Sequence, residues 1–122
     1  MAWLRRFGVY ESTIEFGGQI KKRPAILVSP QWYIDKYDKW VLIVPCSAEW
    51  ELYLTEPHFV FENNHPDFAS TGFDRRCYAA FDRIVSIRTS DIGKLFGNIK
   101  GNLLQDFTRR LSFFLELEPD ED

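Results

Sequence analysis

Three consecutive cations lead into an apolar stretch near the start of the chain. Lys21, Lys22 and Arg23 precede Pro24 and an apolar run, and a second apolar run further on ends in Ser47. If the two runs form neighbouring strands, a guanidinium and a hydroxyl meet at one end of a sheet. Both groups hold phosphates in proteins, so the spacing indicates an anion site. A solvated basic turn is the alternative interpretation.

Arg23 and Ser47 have the side chains with the clearest chemical use. A planar guanidinium binds a phosphate through two parallel hydrogen bonds and offsets the charge that develops in a transition state. A hydroxyl can donate to a phosphoryl oxygen, although a hydroxyl at a strand end often binds only a turn amide. No His or Asp accompanies Ser47 in the sequence as a nucleophile system would require, which argues against a serine hydrolase.

These side chains need strands to position them. Apolar patterns predict strands at residues 7–16, 25–29, 40–46 and 77–81, with residues 82–87 continuing or following the last. One or two edge-like strands are expected within 50–61. Residues 19–22 are expected to form a polar loop, with Pro24 as the first residue of its strand. Strand alternation then places Lys22 and Arg23 on opposite faces, so that only one of them enters the site.

The remaining segments predict loops and helix. Residues 30–39 form a connector with a possible helical turn, residues 62–72 the longest loop, and residues 92–96 a short helical turn after capping residues. An apolar stripe at three- and four-residue spacing predicts an amphipathic helix over residues 102–117, ended by Pro119. Short strands closed by one helix indicate an α+β protein, a small and strongly bent antiparallel barrel.

The length of 122 residues predicts a single domain, residues 1–117, followed by an acidic tail, residues 118–122. The net charge of −3 disfavours a nucleic-acid binder, but five of the eighteen acidic residues lie in the last seven positions. The body of the chain is therefore slightly basic. No apolar run is long enough to cross a membrane, and a cytoplasmic protein is expected.

The cysteines and histidines do not form a metal-binding pattern. Cys46 and Cys77 fall within predicted strands and are expected to be buried free thiols. His58 and His65 have no ligand pair beside them, so neither a metal nor another cofactor is expected. Histidine is a common general acid or base in enzymes, and the two histidines are the weaker catalytic candidates here.

Three ordered motifs resemble the MazF/PemK family of toxin endoribonucleases. They are Lys22-Arg23-Pro24-Ala25 with its strand ending in Ser29, then Val44-Pro45-Cys46-Ser47-Ala48, and then the segment from Cys77 to Ile87 with Asp82 at its centre. The resemblance covers about residues 17–117. The resemblance implies an SH3-like barrel with a C-terminal helix. It also implies metal-independent cleavage of single-stranded RNA, which leaves a 2′,3′-cyclic phosphate and a 5′-hydroxyl.

The resemblance also implies roles and partners. Arg23 matches the arginine implicated in catalysis, Ser47 would hydrogen-bond the phosphate, and Asp82 would orient Arg23. A homodimer, single-stranded RNA and a cognate antitoxin protein are the implied partners. The expected RNA contacts are Gln19, Lys21, Lys22, Arg75, Arg76 and Arg83, with Trp32, Tyr33 and Trp50 as possible stacking platforms.

Two positions depart from the family pattern. Gly18 stands where the first loop often carries an acidic residue, and Ala80 stands where some members carry a catalytic arginine. Arg83 also replaces the usual glutamine after Asp82. A non-enzymatic toxin on the same barrel, like the gyrase poison CcdB, or a catalytically degenerate binding module is therefore the alternative function.

Overall fold

The computed structural model describes residues 4–16, 18–37, 39–49 and 59–117. These residues form seven strands and two helices: β1 (Gly8–Phe16), β2 (Gln19–Leu27), α1 (Gln31–Lys36), β3 (Trp40–Ser47), β4 (Phe59–Phe61), β5 (Cys77–Ala79), β6 (Val85–Arg88), β7 (Ile92–Asn98) and α2 (Gly101–Phe114). Short 3-10 turns at Phe68–Thr71, Phe81–Arg83 and Thr89–Asp91 connect the later elements. The prediction of an α+β protein with a C-terminal amphipathic helix is confirmed.

The strands form one antiparallel sheet in the order β4-β5-β3-β2-β1-β7. One edge of β3 pairs with β2, and the opposite edge has two partners. The first half of β3 pairs with β6, and its last two residues pair with β5. Pro45 lies at the changeover, where it lacks an N–H but its carbonyl accepts a hydrogen bond from the Ala80 amide, 3.0 Å away. The result is a strongly curled half-barrel, which confirms the expected bent antiparallel architecture.

The sheet is buried on both faces where β2 and β3 pair. Ile26 packs into a cluster that includes the α2 residue Phe107, whereas Ala25 and Leu27 pack into a second cluster with Ile34 of α1. Successive side chains of a strand point to opposite faces, so one short run supplies both clusters. This explains why the stretch is apolar at consecutive positions, as the sequence indicates.

Helix α2 begins at Gly101, whose φ of +64° is in the left-handed region that glycine tolerates. No side chain of the helix itself caps this end. Instead the Asp67 carboxylate accepts hydrogen bonds from the amides of Asn102 (3.0 Å) and Leu103 (3.5 Å). The long loop therefore helps to fix the helix that closes the half-barrel.

Two sequence predictions are wrong in their secondary structure. Residues 19–22 belong to β2 rather than to a loop, and residues 92–96 belong to the edge strand β7 rather than to a helical turn. Both are largely exposed edges, so neither shows the apolar signal of a strand. Residues 50–58 and the acidic tail 118–122 lie outside the described residues, and the domain boundary at 117 stays a prediction.

Candidate functional site

A cavity of about 320 Å³ opens where the ladder between β2 and β3 ends. That ladder comprises only Ala25–Leu27 of β2, although β2 runs in register with β1 from Gln19 onward. Among the residues that the structure describes, residues 19–24 therefore pair along one edge only. The cavity lies against the other edge and is lined by Lys21, Lys22, Arg23, Pro24, Cys46, Ser47, Ala48, Glu49, Phe73, Asp74, Arg75 and Cys77.

Pro24 explains why the ladder ends there. The Val28 amide donates to the Leu42 carbonyl at 2.9 Å, so even-numbered residues of β2 direct their backbone groups toward β3. Pro24 is one of these residues and has no N–H to donate. It is the sixth residue of β2, so the prediction that it begins the strand is wrong. A proline is tolerated there because its missing donor faces the edge where pairing stops.

The structure brings Arg23 and Ser47 to one cavity. Ala25 pairs with Pro45 and Leu27 with Ile43, and continuing this register by two residues places Arg23 opposite Ser47. Arg23 is half-buried and Ser47 is 6% exposed. A guanidinium and a hydroxyl therefore lie at one end of the sheet, as the spacing of the two apolar runs predicts.

The hydroxyl of Ser47 is held in place by the turn that follows β3. Its Oγ accepts a hydrogen bond from the Glu49 amide at 3.1 Å. An oxygen that accepts this bond still has its own proton to donate. The turn contact expected as the alternative role for Ser47 is thus present, and it is compatible with donation to a phosphoryl oxygen.

The cavity lining carries more positive than negative charge. The cations are Lys21, Lys22, Arg23 and Arg75, against the carboxylates Glu49 and Asp74. Asp74 lies 3.9 Å from the Arg75 guanidinium, but both side chains are well exposed, so solvent weakens this pair. Within the part of the chain that the structure describes, an anionic ligand at this opening would therefore lie close to several cations.

Lys22 and Arg23 both belong to the cavity lining, and the expectation that only one of the two side chains enters the site stays a prediction. Alternation separates neighbouring side chains across the faces of a sheet, but this cavity lies along an edge. Residues of both faces can reach an opening at an edge. The two cations differ in depth instead, since Lys22 is exposed and Arg23 is half-buried.

The other residues expected at the site lie outside the cavity lining. Gln19 is exposed at the start of β2, and Asp82 and Arg83 lie in the 3-10 turn beside β3. The orientation of Arg23 by Asp82 therefore stays a prediction. Arg76 lies over the Tyr78 ring, with its Nε 2.8 Å from the Glu62 carboxylate. Since the N–H of that Nε does not point at the oxygen, the contact is an ion pair without hydrogen-bond geometry.

Cys46 and Cys77 are free buried thiols, as expected, and both line the cavity. Burial raises the pKa of the Cys46 thiol well above its usual value, and the neighbouring Cys77 thiol raises it further. A thiol in that state is a poor nucleophile. Cys46 is therefore a packing residue of this wall.

His65 has a structural role. Its Nδ1 accepts a hydrogen bond from the Asp67 amide at 3.0 Å, and its Nε2 lies 4.0 Å from the Asp106 carboxylate. It thus supports the loop that caps α2. His58 lies outside the described residues. Within the described ranges, no group of three or more His, Cys, Asp and Glu side chains is placed to hold a metal ion.

The sequence did not reveal two carboxylates at the site. Glu49 and Asp74 line the cavity, although the family-like first loop has Gly18 in place of an acid. Glu49 follows Ser47 by two residues, which was the only available signal. Asp74 comes from a distant loop, and no local pattern connects it with Arg23.

The fold is similar to that of solved toxin structures. Mycobacterium tuberculosis toxin MazF-mt6 superposes with a TM-score of 0.71 at 12% identity, over 92% of this chain and 99% of the toxin. An endoribonuclease in complex with its cognate antitoxin, from Mycobacterial species, gives 0.69 at 17% identity, over 98% and 100%. Another endoribonuclease from Mycobacterial species gives 0.66 at 16%, over 94% and 93%.

These comparisons confirm the MazF-like fold implied by the sequence motifs. At such identities they show the fold alone. No family model matches the sequence, and no curated protein matches it. Among the described residues no helix is long and apolar enough to span a membrane.

Proposed function

We propose that this chain is the toxin of a type II toxin–antitoxin system, a metal-independent endoribonuclease that cleaves single-stranded RNA in the cytoplasm. The observation that carries the proposal is that Arg23 and Ser47 line one cationic cavity, two residues beyond the last β2–β3 pair, Ala25 with Pro45. The MazF-like fold supports it, because neighbours with this fold are described as a toxin and as endoribonucleases. Because proteins with one fold can have different functions, the proposal depends mainly on the residues of the cavity.

The proposed reaction uses the RNA as its own nucleophile. The ribose 2′-oxygen attacks the adjacent phosphorus while the bond from phosphorus to the 5′-oxygen breaks. The leaving 5′-oxygen takes up a proton from water, so the products are a 2′,3′-cyclic phosphate and a 5′-hydroxyl. Arg23 would hold two non-bridging oxygens and offset the charge of the transition state, and Ser47 would donate to one of them. Asp82 would orient Arg23.

The reaction needs a group that accepts the 2′-hydroxyl proton. Of the two carboxylates in the cavity lining, Glu49 has the better-fixed backbone, because its amide donates to Ser47 Oγ. Both side chains are exposed, Asp74 to 92%, so the fixed backbone of Glu49 is what distinguishes the two. Glu49 is therefore the carboxylate that we assign to proton transfer.

The proposed assembly is a homodimer that binds an antitoxin. Leu95 and Leu117 are apolar side chains that remain more than half exposed, and a partner surface would cover such groups. One structural neighbour is in complex with its cognate antitoxin, which supports an antitoxin as partner. Light scattering at micromolar concentration should give the mass of a dimer, and a monomer throughout that range would contradict the assembly.

The function is tested by incubating purified protein with long single-stranded RNA in excess EDTA, beside Arg23→Ala protein prepared in the same way. We expect fragments with 5′-hydroxyl and cyclic phosphate ends from the wild type only. Intact RNA that stays bound would indicate a binding module. Trapped gyrase–DNA complexes with intact transcripts would favour the CcdB-like alternative.

A further inference from the structure

A second cavity, of about 250 Å³, lies at the other end of β3. Its described lining includes Pro30, Tyr33, Trp40 and Leu42, with the hydroxyl residues Ser29 and Ser86. Strand residues rise about 3.3 Å each, so Trp40 lies roughly 23 Å along β3 from Ser47. The second cavity is therefore separate from the site at Arg23.

Aromatic rings continue from this cavity along α1. The Tyr33 ring contacts Trp32 edge-on at 5.8 Å and Tyr37 at 4.8 Å, centre to centre. Trp32 is 65% exposed, and Trp40 and Tyr37 are also exposed. Trp32, Tyr37 and Trp40 each leave 44–65% of their surface exposed, so large aromatic faces remain available for a ligand to cover.

Cations accompany the exposed rings. Arg88 pairs with Trp40 across the β3–β6 ladder and lies 5.1 Å over its ring, and Lys36 lies 5.5 Å from the Tyr37 ring centre. Asp35, the carboxylate of α1, already accepts a hydrogen bond from the Gln31 amide group at 3.0 Å. The surface thus alternates flat rings with positive charges.

We propose that the RNA strand makes a second contact with this aromatic–cation surface (Trp32, Tyr33, Tyr37 and Trp40, with Lys36 and Arg88). This inference rests on the proposed function. Unpaired bases stack on the exposed rings, and the two cations bind the flanking phosphates. Single strands alternate bases with phosphates, which matches this alternation of rings and charges. A two-fold contact of this surface with a second copy would instead bring two sets of the same cations into one interface.

Binding of uniformly 2′-O-methylated oligonucleotides, measured by fluorescence anisotropy, tests the surface without requiring cleavage. Trp32→Ala should weaken binding of a dodecanucleotide by about 5–100-fold, because one base–ring stack is lost. It should leave binding of a tetranucleotide unchanged, since so short a strand cannot reach from Arg23 to Trp32. Trp32→Phe should restore most of the affinity.

Phe113→Ala is the matched control, since Phe113 is 64% exposed on α2 and lies outside the aromatic–cation surface. It should bind both oligonucleotides as the wild type does. Equal affinity of Trp32→Ala and wild type for the dodecanucleotide would overturn the proposal. A change in the mass of Trp32→Ala by light scattering, with RNA affinity intact, would also overturn it and would assign the surface to a second copy.

The same assay separates failure of this surface from failure of the proposed function. If the protein does not cleave RNA but Trp32→Ala still lowers dodecanucleotide binding selectively, the surface stands and the nuclease assignment falls. If wild-type protein binds neither oligonucleotide, the surface is overturned whatever the fate of the cleavage assay.

Discussion

The two parts of β2 share one regular ladder with β1 but face different surroundings. Residues 25–27 pair on both sides and are completely buried. Residues 19–24 pair with β1 alone among the described strands and are exposed or half-buried. Pro24 lies at the boundary. One strand can therefore contribute to the core in one part and to a site in the other. The ladder with β1 fixes both parts of β2, and the lack of a described partner on the other edge leaves residues 19–24 accessible.

The largest expected effect concerns the buried part. Ile26 has no exposed surface and packs among Val44, Phe61 and Phe107, so Ile26→Ala should lower the free energy of unfolding by about 2–5 kcal/mol. Ile20 is the matched control in the same strand. It is 69% exposed, and Ile20→Ala should change stability by no more than about 0.5 kcal/mol. Denaturant titration measures both, and similar losses would mean that the two parts are not distinct.

The sequence predicted the buried part of the fold well, for a physical reason. Core positions must be apolar, so residues 25–29 and 40–46 read as strands and the stripe of α2 reads as a helix. Exposed edges carry no such constraint. The cations of residues 21–23 looked like a loop, and Gly93 and Lys94 after the capping residues hid the strand β7.

The site was partly predictable for the same reason. Arg23 and Ser47 follow directly from the two strands, because pairing of apolar runs fixes which ends meet. Glu49, Asp74 and the ladder-ending position of Pro24 depend on loop placement and on strand register. Neither of these is encoded in a local pattern. Roles for Asp82, Arg83 and Gln19 came from the family resemblance alone, and the cavity lining does not include them.

Arg23→Ala is expected to affect the reaction and leave the fold intact. Loss of a transition-state donor should lower the single-turnover rate by about 10²–10³-fold. Arg23→Lys should recover little, because an ammonium cannot make the two-pronged contact. Arg109, exposed on α2, supplies the control, and Arg109→Ala should cleave at the wild-type rate. Wild-type cleavage by Arg23→Ala at saturating protein would remove Arg23 from the mechanism.

Pro24→Ala tests the boundary itself. It restores an N–H on the side of β2 that faces β3, so the ladder can extend toward Cys46 and narrow the cavity. We expect the new amide to be protected from hydrogen exchange and the single-turnover rate to fall by roughly ten-fold or more, because Arg23 and Ser47 shift relative to each other. Pro45→Ala restores a donor on the opposite side of β3 and should leave the saturated rate unchanged. A fast-exchanging amide at residue 24 with normal cleavage would show that the proline does not end the ladder.

The smallest effect is expected at Lys22, the exposed neighbour of Arg23 in the same cavity. Both cations line the opening, but Lys22 is exposed while Arg23 is half-buried and lies opposite Ser47 by register. An exposed lysine contributes charge without fixed geometry, so Lys22→Ala should weaken RNA binding several-fold and reduce the salt slope by about one or less. The cleavage rate at saturating protein should stay near that of the wild type. We expect the exposed Lys22 to assist binding and the more deeply placed Arg23 to act in the reaction. Binding and single-turnover cleavage measured across a salt series decide the point, and a large fall in the saturated rate with unchanged affinity would place Lys22 at the reacting phosphate in place of Arg23.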